Sequence, residues 1–131
     1  MLLDTSGLLC LHHRDETFHD EATSCFEAAW FKLTHSYVLA EFVALAEARG
    51  LRREPALEFV AAVMDNPEIE VTWIDEGQHR TALRFLQARL DKTYSLCDAV
   101  SFLLMREGAI TQALTTDRHF EQEGFVRLLK P

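Results

Sequence analysis

Basic residues are scarce in this chain. Lys and Arg number 13 against 21 Asp and Glu, a formal net charge of −8. That balance argues against sequence-blind binding to phosphate backbones, which runs on Lys and Arg. An acidic chain can still act on a nucleic acid if some of its acids hold cations, because a bound cation changes the sign of the local field. Cysteine is sparse as well. Cys10, Cys25 and Cys97 are odd in number and widely spaced, with no CxxC pair and no zinc pattern with the six histidines. Free, mostly buried thiols in a reducing compartment are expected. No apolar run approaches the roughly 20 residues that span a bilayer. The start, Met1-Leu-Leu-Asp4, has no basic region ahead of an apolar stretch, so neither membrane nor secretion is expected and the cytoplasm is the default. Repeats, low-complexity tracts and Pro/Gly/Ser linkers are missing, and Pro55, Pro67 and Pro131 sit at segment boundaries. A single domain over residues 1–131 is the expectation, and 48% hydrophobic residues suffice for its core.

Periodicity predicts several helices. Phe18, Ala22, Phe26, Ala29 and Trp30 form one apolar face between about Asp15 and Phe31. Ser36 is a candidate N-cap for a helix with Val38, Leu39, Phe42, Val43 and Ala46 inward, ending near Gly50. Pro55 suits the first turn of the next helix, whose predicted face is Leu57, Val60, Ala61 and Met64 and which stops before Pro67. Leu83, Leu86 and Leu90 mark another, and Ser95–Glu107 is apolar almost all round, as a deeply buried helix would be. Strand-like pieces lie between: Met1–Leu3, Phe31–Thr34, Ala113–Thr115, Phe125–Leu129, and an alternating Ile69–Ile74 that suits a sheet edge. Strands separated by helices imply a mainly parallel sheet with helices on both faces, an α/β fold.

In such sheets ligands bind beyond the carboxyl ends of the strands, near the point where strand order reverses. Asp4 follows the first strand and Asp117 follows Ala113–Thr115. Glu41 lies over a turn into the helix after Phe31–Thr34, and Asp98 lies in the first turn of the buried helix. Each has a plain structural explanation. Asp4 and Asp117 suit N-caps, Ser95-Leu-Cys-Asp98 reads as a capping box, and Glu41 fits a solvated helix face. Four accidents need not converge on one place, however. Converging carboxylates would repel and protonate unless a cation neutralised them. Hard oxygen ligands select Mg²⁺ or Mn²⁺ over zinc. Such an ion lowers the pKa of a bound water and steadies charge on a phosphodiester, singly or as a pair.

At these residues the sequence resembles the PIN-domain family, and within it the VapC-type toxins of toxin–antitoxin pairs. The matching pieces are Leu3-Asp-Thr-Ser6, Thr34-His-Ser-Tyr-Val-Leu-Ala-Glu41, Ser95-Leu-Cys-Asp98-Ala-Val-Ser-Phe102 and Leu114-Thr-Thr-Asp117-Arg-His-Phe120. Together they cover nearly the whole chain, in order. The resemblance implies a three-layer α/β/α fold around a mainly parallel five-stranded sheet, a divalent metal and endonucleolytic cleavage of RNA by a metal-activated water. It implies that Asp4, Glu41, Asp98 and Asp117 are the catalytic, metal-holding acids and that Ser6 and Thr115 are accessory hydroxyls. It further implies a homodimer and a VapB-like antitoxin that inserts a segment, often with an Arg, into the acidic site.

Only three residues precede Asp4, short for that family, so a frayed first strand or a truncated start is expected. His119 is tempting as a general base, but a metal-bound hydroxide needs none, so a structural or surface role is expected. Arg14, Arg80 and Arg118 are possible phosphate contacts, with solvated charge favoured for each. Trp30 and Trp73 read as core or dimer interface. A receiver-type phosphoacceptor is disfavoured because its late lysine could only be the near-terminal Lys130, and because an adjacent acidic pair is missing at the first strand. A haloacid-dehalogenase-type phosphohydrolase would need an acid at Ser6. The remaining alternative is a catalytically silent PIN-like module that uses its acidic patch to bind a basic peptide.

Overall fold

The computed structural model describes residues 1–131. In chain order it runs β1 (Leu2–Leu3), α1 (Thr5–His12), α2 (His19–Ala28), β2 (Lys32–His35), α3 (Ser36–Ala48), α4 (Arg53–Asp65) and β3 (Ile69–Thr72). It continues with α5 (Glu76–Gln87), α6 (Leu96–Glu107), β4 (Gln112–Leu114), α7 (His119–Gln122) and β5 (Val126–Arg127). The five strands form one sheet in the order β3-β2-β1-β4-β5, and every pairing is parallel. The sheet grows outward from β1 through β2 to β3, then the chain returns to lay β4 on the other side of β1. Strand order therefore reverses between β1 and β4, and their carboxyl ends open the crevice where a ligand site belongs. As the alternating pattern suggested, β3 is an edge strand.

Side-chain parity assigns the two faces of the sheet. Leu2, Leu33 and Ala113 are register neighbours and share one buried cluster with Phe85, Val100, Phe102 and Phe120. Leu3 and Leu114, one residue further on, enter the opposite cluster with Leu8, Ala22, Phe42 and Val63. Helices α1–α4 thus cover one face, and α5 and most of α6 the other. No helix is long and apolar enough to cross a membrane.

Strand β1 is brief but not frayed. Leu2 and Leu3 are fully buried between two partners. The Met1 ammonium donates to Phe31 O at 2.9 Å, and Asp4 N donates to Leu114 O at 3.2 Å. Double-sided pairing supplies the rigidity that length does not. Helix α1, which shows no amphipathic period in sequence, buries Thr5, Gly7, Leu8, Leu9 and Cys10. It can do so because Gly7 has no side chain: a Cβ there would lie 2.0 Å from Leu114 O.

Several predicted faces shift. Helix α2 ends at Ala28, which leaves Trp30 in the following loop and almost fully exposed, and Trp73 also stands out into solvent. Neither tryptophan is core. Helix α4 buries Ala56 and Val63 where Leu57 and Met64 were expected. That one-residue offset is a rotation of about 100°, and it places small Ala56 in the same cluster as Ala46 of α3. In α5 the buried residues are Ala82 and Phe85, with Leu83 and Leu90 outside. The N-cap of α3 is His35, not Ser36. Its Nδ1 accepts from Val38 N at 3.4 Å, which leaves Nε2–H to donate to Ser101 Oγ at 2.8 Å.

Because the Gly7 approach holds α1 against β4, Gly7→Ala is expected to lower the unfolding free energy by about 1–3 kcal/mol or more. Urea unfolding checks this, and an unchanged midpoint would show that α1 can move off β4 at no cost.

Candidate metal centre

The carboxyl ends of β1 and β4 bring the first acid into place. Asp4 occupies the N-cap position of α1 but makes no side-chain cap bond. Its carboxylate turns instead to β4, where Thr115 Oγ1 donates to Asp4 Oδ2 at 2.7 Å. Ser6 Oγ lies 3.1 Å from Thr115 Oγ1 and 3.5 Å from Asp4 Oδ2. The same two hydroxyls accept backbone bonds from the loop after β4: Thr116 N donates to Ser6 Oγ and Asp117 N to Thr115 Oγ1, both at 3.0 Å. Ser6 and Thr115 therefore tie Asp4 to the segment that carries Asp117.

Asp98 comes from the other side, at the start of α6. The expected capping box is present: Asp98 N donates to Ser95 Oγ and Ser95 N donates to Asp98 Oδ2, each at 3.0 Å. That duty does not exhaust the carboxylate. Its Oδ2 also takes a bond from His119 Nδ1 at 2.9 Å. Asp117 Oδ2 lies 3.4 Å from the same nitrogen, while Asp117 Oδ1 accepts from His119 N at 2.9 Å. Ligand atoms of Asp98, Asp117 and His119 all fall within 4.8 Å of one another.

Electrostatics mark the cost of this convergence. The Asp4 carboxyl is pushed up to about 7, mainly by burial. The charges of Asp98 and Glu41 push the same way, and the Thr115 hydroxyl opposes them. Cys97, buried beside Asp98, has its thiol pushed far above the ordinary range by burial and then by Glu41, Asp4 and Asp98. Glu41 itself is exposed on α3. Like Asp4, it adjoins the cluster through its charge and is not among Asp98, Asp117 and His119, the three residues whose ligand atoms meet.

The donor set suits a hard divalent cation: several carboxylate oxygens, one imidazole and no thiolate. Thr5 Oγ1, on the residue after Asp4, is buried without a hydrogen-bond partner, one more oxygen without protein partners close to the acids. Asp98 and Asp117 present carboxylate oxygens close enough together to share such an ion, while Asp4 and, from the rim, Glu41 join the group through their charges. The largest surface hollow, of about 550 Å³, lies at the opposite end of the sheet. Met1, Trp30, Phe31 and Ile110 help to line it, and it contains no carboxylate side chain.

The PIN-domain family model matches residues 1–125. The chain belongs to the PIN-domain family. Among solved structures it is similar to VapC20 of Mycobacterium tuberculosis, described as a toxin that cleaves the sarcin–ricin loop. The match has a TM-score of 0.87 and 25% sequence identity, and it covers 99% of this chain and 98% of that one. No curated relative matches it by sequence.

Within this PIN domain His119, for which a structural or surface role was expected, stands between Asp98 and Asp117. The available signal was the Asp117-x-His119 spacing, which folds both side chains onto one turn. Thr93 and Tyr94, which contact the His119 ring, carried no such signal.

The raised Asp4 carboxyl makes a prediction for the metal-free protein. Folding favours its protonated form, so stability is lost as pH rises from the unfolded value of about 4 to the folded value of about 7. In EDTA at pH 8, Asp4→Asn should be more stable than wild type by up to about 4 kcal/mol, and the gain should fade toward pH 4. With Mg²⁺ or Mn²⁺ the order should reverse, because wild type gains stability from the ion. Thermal melts in both conditions check it. A variant less stable than wild type in EDTA at pH 8 would contradict the crowded site.

Proposed function

We propose that this PIN domain, a single unit over residues 1–131, is a metal-dependent endoribonuclease that acts in the cytoplasm as the toxin of a toxin–antitoxin pair. The observation that carries the reading is the meeting of Asp98 and Asp117 at the β1/β4 crevice, with buried Asp4 close enough to feel the Asp98 charge and tied through Ser6 and Thr115 to the segment that carries Asp117. Family membership and likeness to a toxin described as cleaving the sarcin–ricin loop support it.

In this reading Asp4, Glu41, Asp98 and Asp117 hold Mg²⁺ or Mn²⁺ directly or through water. When bound, the ion supplies a water of lowered pKa and neutralises charge gathering on the phosphodiester. The chain's own residues do the positioning. Thr115 and Ser6 fix the Asp4 carboxylate, and the capping box holds the Asp98 carboxylate at the start of α6. Arg118, exposed beside Asp117, is available to an RNA phosphate. Arg80 is engaged with Glu76 at 2.8 Å and is a weaker candidate. A homodimer and a VapB-like antitoxin, reaching the acids with a basic side chain, complete the proposal. Exposed Trp30, Trp73 and Leu90 leave apolar surface for such contacts.

Cleavage of a mixed RNA pool by wild type and Asp98→Asn, in Mg²⁺, Mn²⁺ and EDTA, tests the proposal. Wild type should cut only with metal, and the variant should lose about a hundredfold or more. Equal cutting by the variant would remove Asp98 from the site. No cutting by folded, antitoxin-free protein would favour a silent acidic module that binds a basic peptide.

A further inference from the structure

We propose that His119 is an inner-sphere ligand of the metal, and that its imidazole tilts the site from Mg²⁺ toward first-row transition cations such as Mn²⁺. The inference rests on the metal-dependent reading above and adds a nitrogen to what would otherwise be an all-oxygen site.

Geometry carries it. Two ligands at right angles on an ion about 2.1 Å away stand about 3.0 Å apart. His119 Nδ1 lies 2.9 Å from Asp98 Oδ2 and 3.4 Å from Asp117 Oδ2. One cation can therefore touch all three residues with little rearrangement. With no ion bound, the Nδ1–H donates to Asp98. Ligation needs the other neutral tautomer: the proton leaves Nδ1 while Nε2 takes one up and donates it to Thr93 Oγ1, which frees the Nδ1 lone pair for the ion with no net change in the charge of the ring.

The rest of the ring is already held as a ligating histidine is held. Its other nitrogen, Nε2, lies 3.1 Å from Thr93 Oγ1, the outer contact that fixes tautomer and direction in metal-bound imidazoles. Tyr94, itself buried, packs edge-on to the ring with centroids 5.1 Å apart and planes at 70°. The backbone N–H of His119 is tied to Asp117 Oδ1, so ring and carboxylate move as one piece. A surface histidine pairing loosely with acids would need none of this support. Imidazole nitrogen matters little to Mg²⁺, which prefers oxygen and water, but strengthens binding of transition cations.

The test is pulsed electron paramagnetic resonance on the full chain loaded with Mn²⁺, together with calorimetric titration of Mn²⁺ and Mg²⁺. Wild type should show hyperfine coupling from a directly bound ¹⁴N, absent in His119→Gln. The variant should bind Mn²⁺ about tenfold or more weakly while its Mg²⁺ affinity changes less than twofold, so that the preference for Mn²⁺ falls. Bound Mn²⁺ without nitrogen coupling in wild type would overturn the role of His119 and leave the metal-dependent reading standing. Failure of folded wild type to bind either ion would overturn both. The wild-type spectrum decides even where His119→Gln does not fold.

Discussion

A carboxylate buried beside other carboxylates is the constraint on which the site depends. Asp4 is only 4% exposed, and its one strong hydrogen bond comes from Thr115. Leaving water costs such a group several kcal/mol unless something compensates. In the metal-free chain the compensation is partial protonation. A cation between Asp4 and its neighbours would do better, since it repays burial and repulsion together. The chain carries this expense at the crevice where the sheet reverses its order, and nowhere else does it bury an acid with so little support.

Much of the remaining architecture holds that crevice in register. Leu114 O accepts from Asp4 N, and the missing side chain of Gly7 lets α1 press against the same carbonyl. Across the sheet, His35 caps α3 and reaches Ser101 of α6, three residues past Asp98. Burial pulls the His35 imidazole down to about 4, so it stays neutral near pH 7 and this link between α3 and α6 carries no charge. On the far side, Glu123 receives Arg89 at 3.0 Å and Arg106 at 2.6 Å. That pairing joins the segment after α5, the end of α6 and the end of α7, and it backs the turn that presents Asp117 and His119.

The alternation of strands and helices, the parallel sheet and the edge position of β3 were legible because period and punctuation are local properties of the chain. So was the placing of Asp4 and Asp117 at the same end of the sheet, since both follow strands and such strands end on one side of a parallel sheet. The Asp98 capping box was readable too, though sequence set it against a site role whereas the side chain does both jobs. What could not be read was tertiary. Helix α1 is buried on most sides and has no period to betray it. The rotation of α4 that hides Ala56 and exposes Leu57 is decided by how closely α3 lets it approach. The exposure of Trp30 follows from α2 stopping at Ala28, and the meeting of His119 with Asp98 depends on a contact across 21 residues.

The central claim is that these acids gather around a cation, and diffraction from crystals soaked in Mn²⁺, with anomalous differences measured near the manganese edge, tests it most directly. The account predicts a strong peak in the crevice, within ligand distance of Asp98 and Asp117 and directly or through water in reach of Asp4. A well-ordered site with no peak there, or manganese bound only elsewhere on the acidic surface, would contradict it.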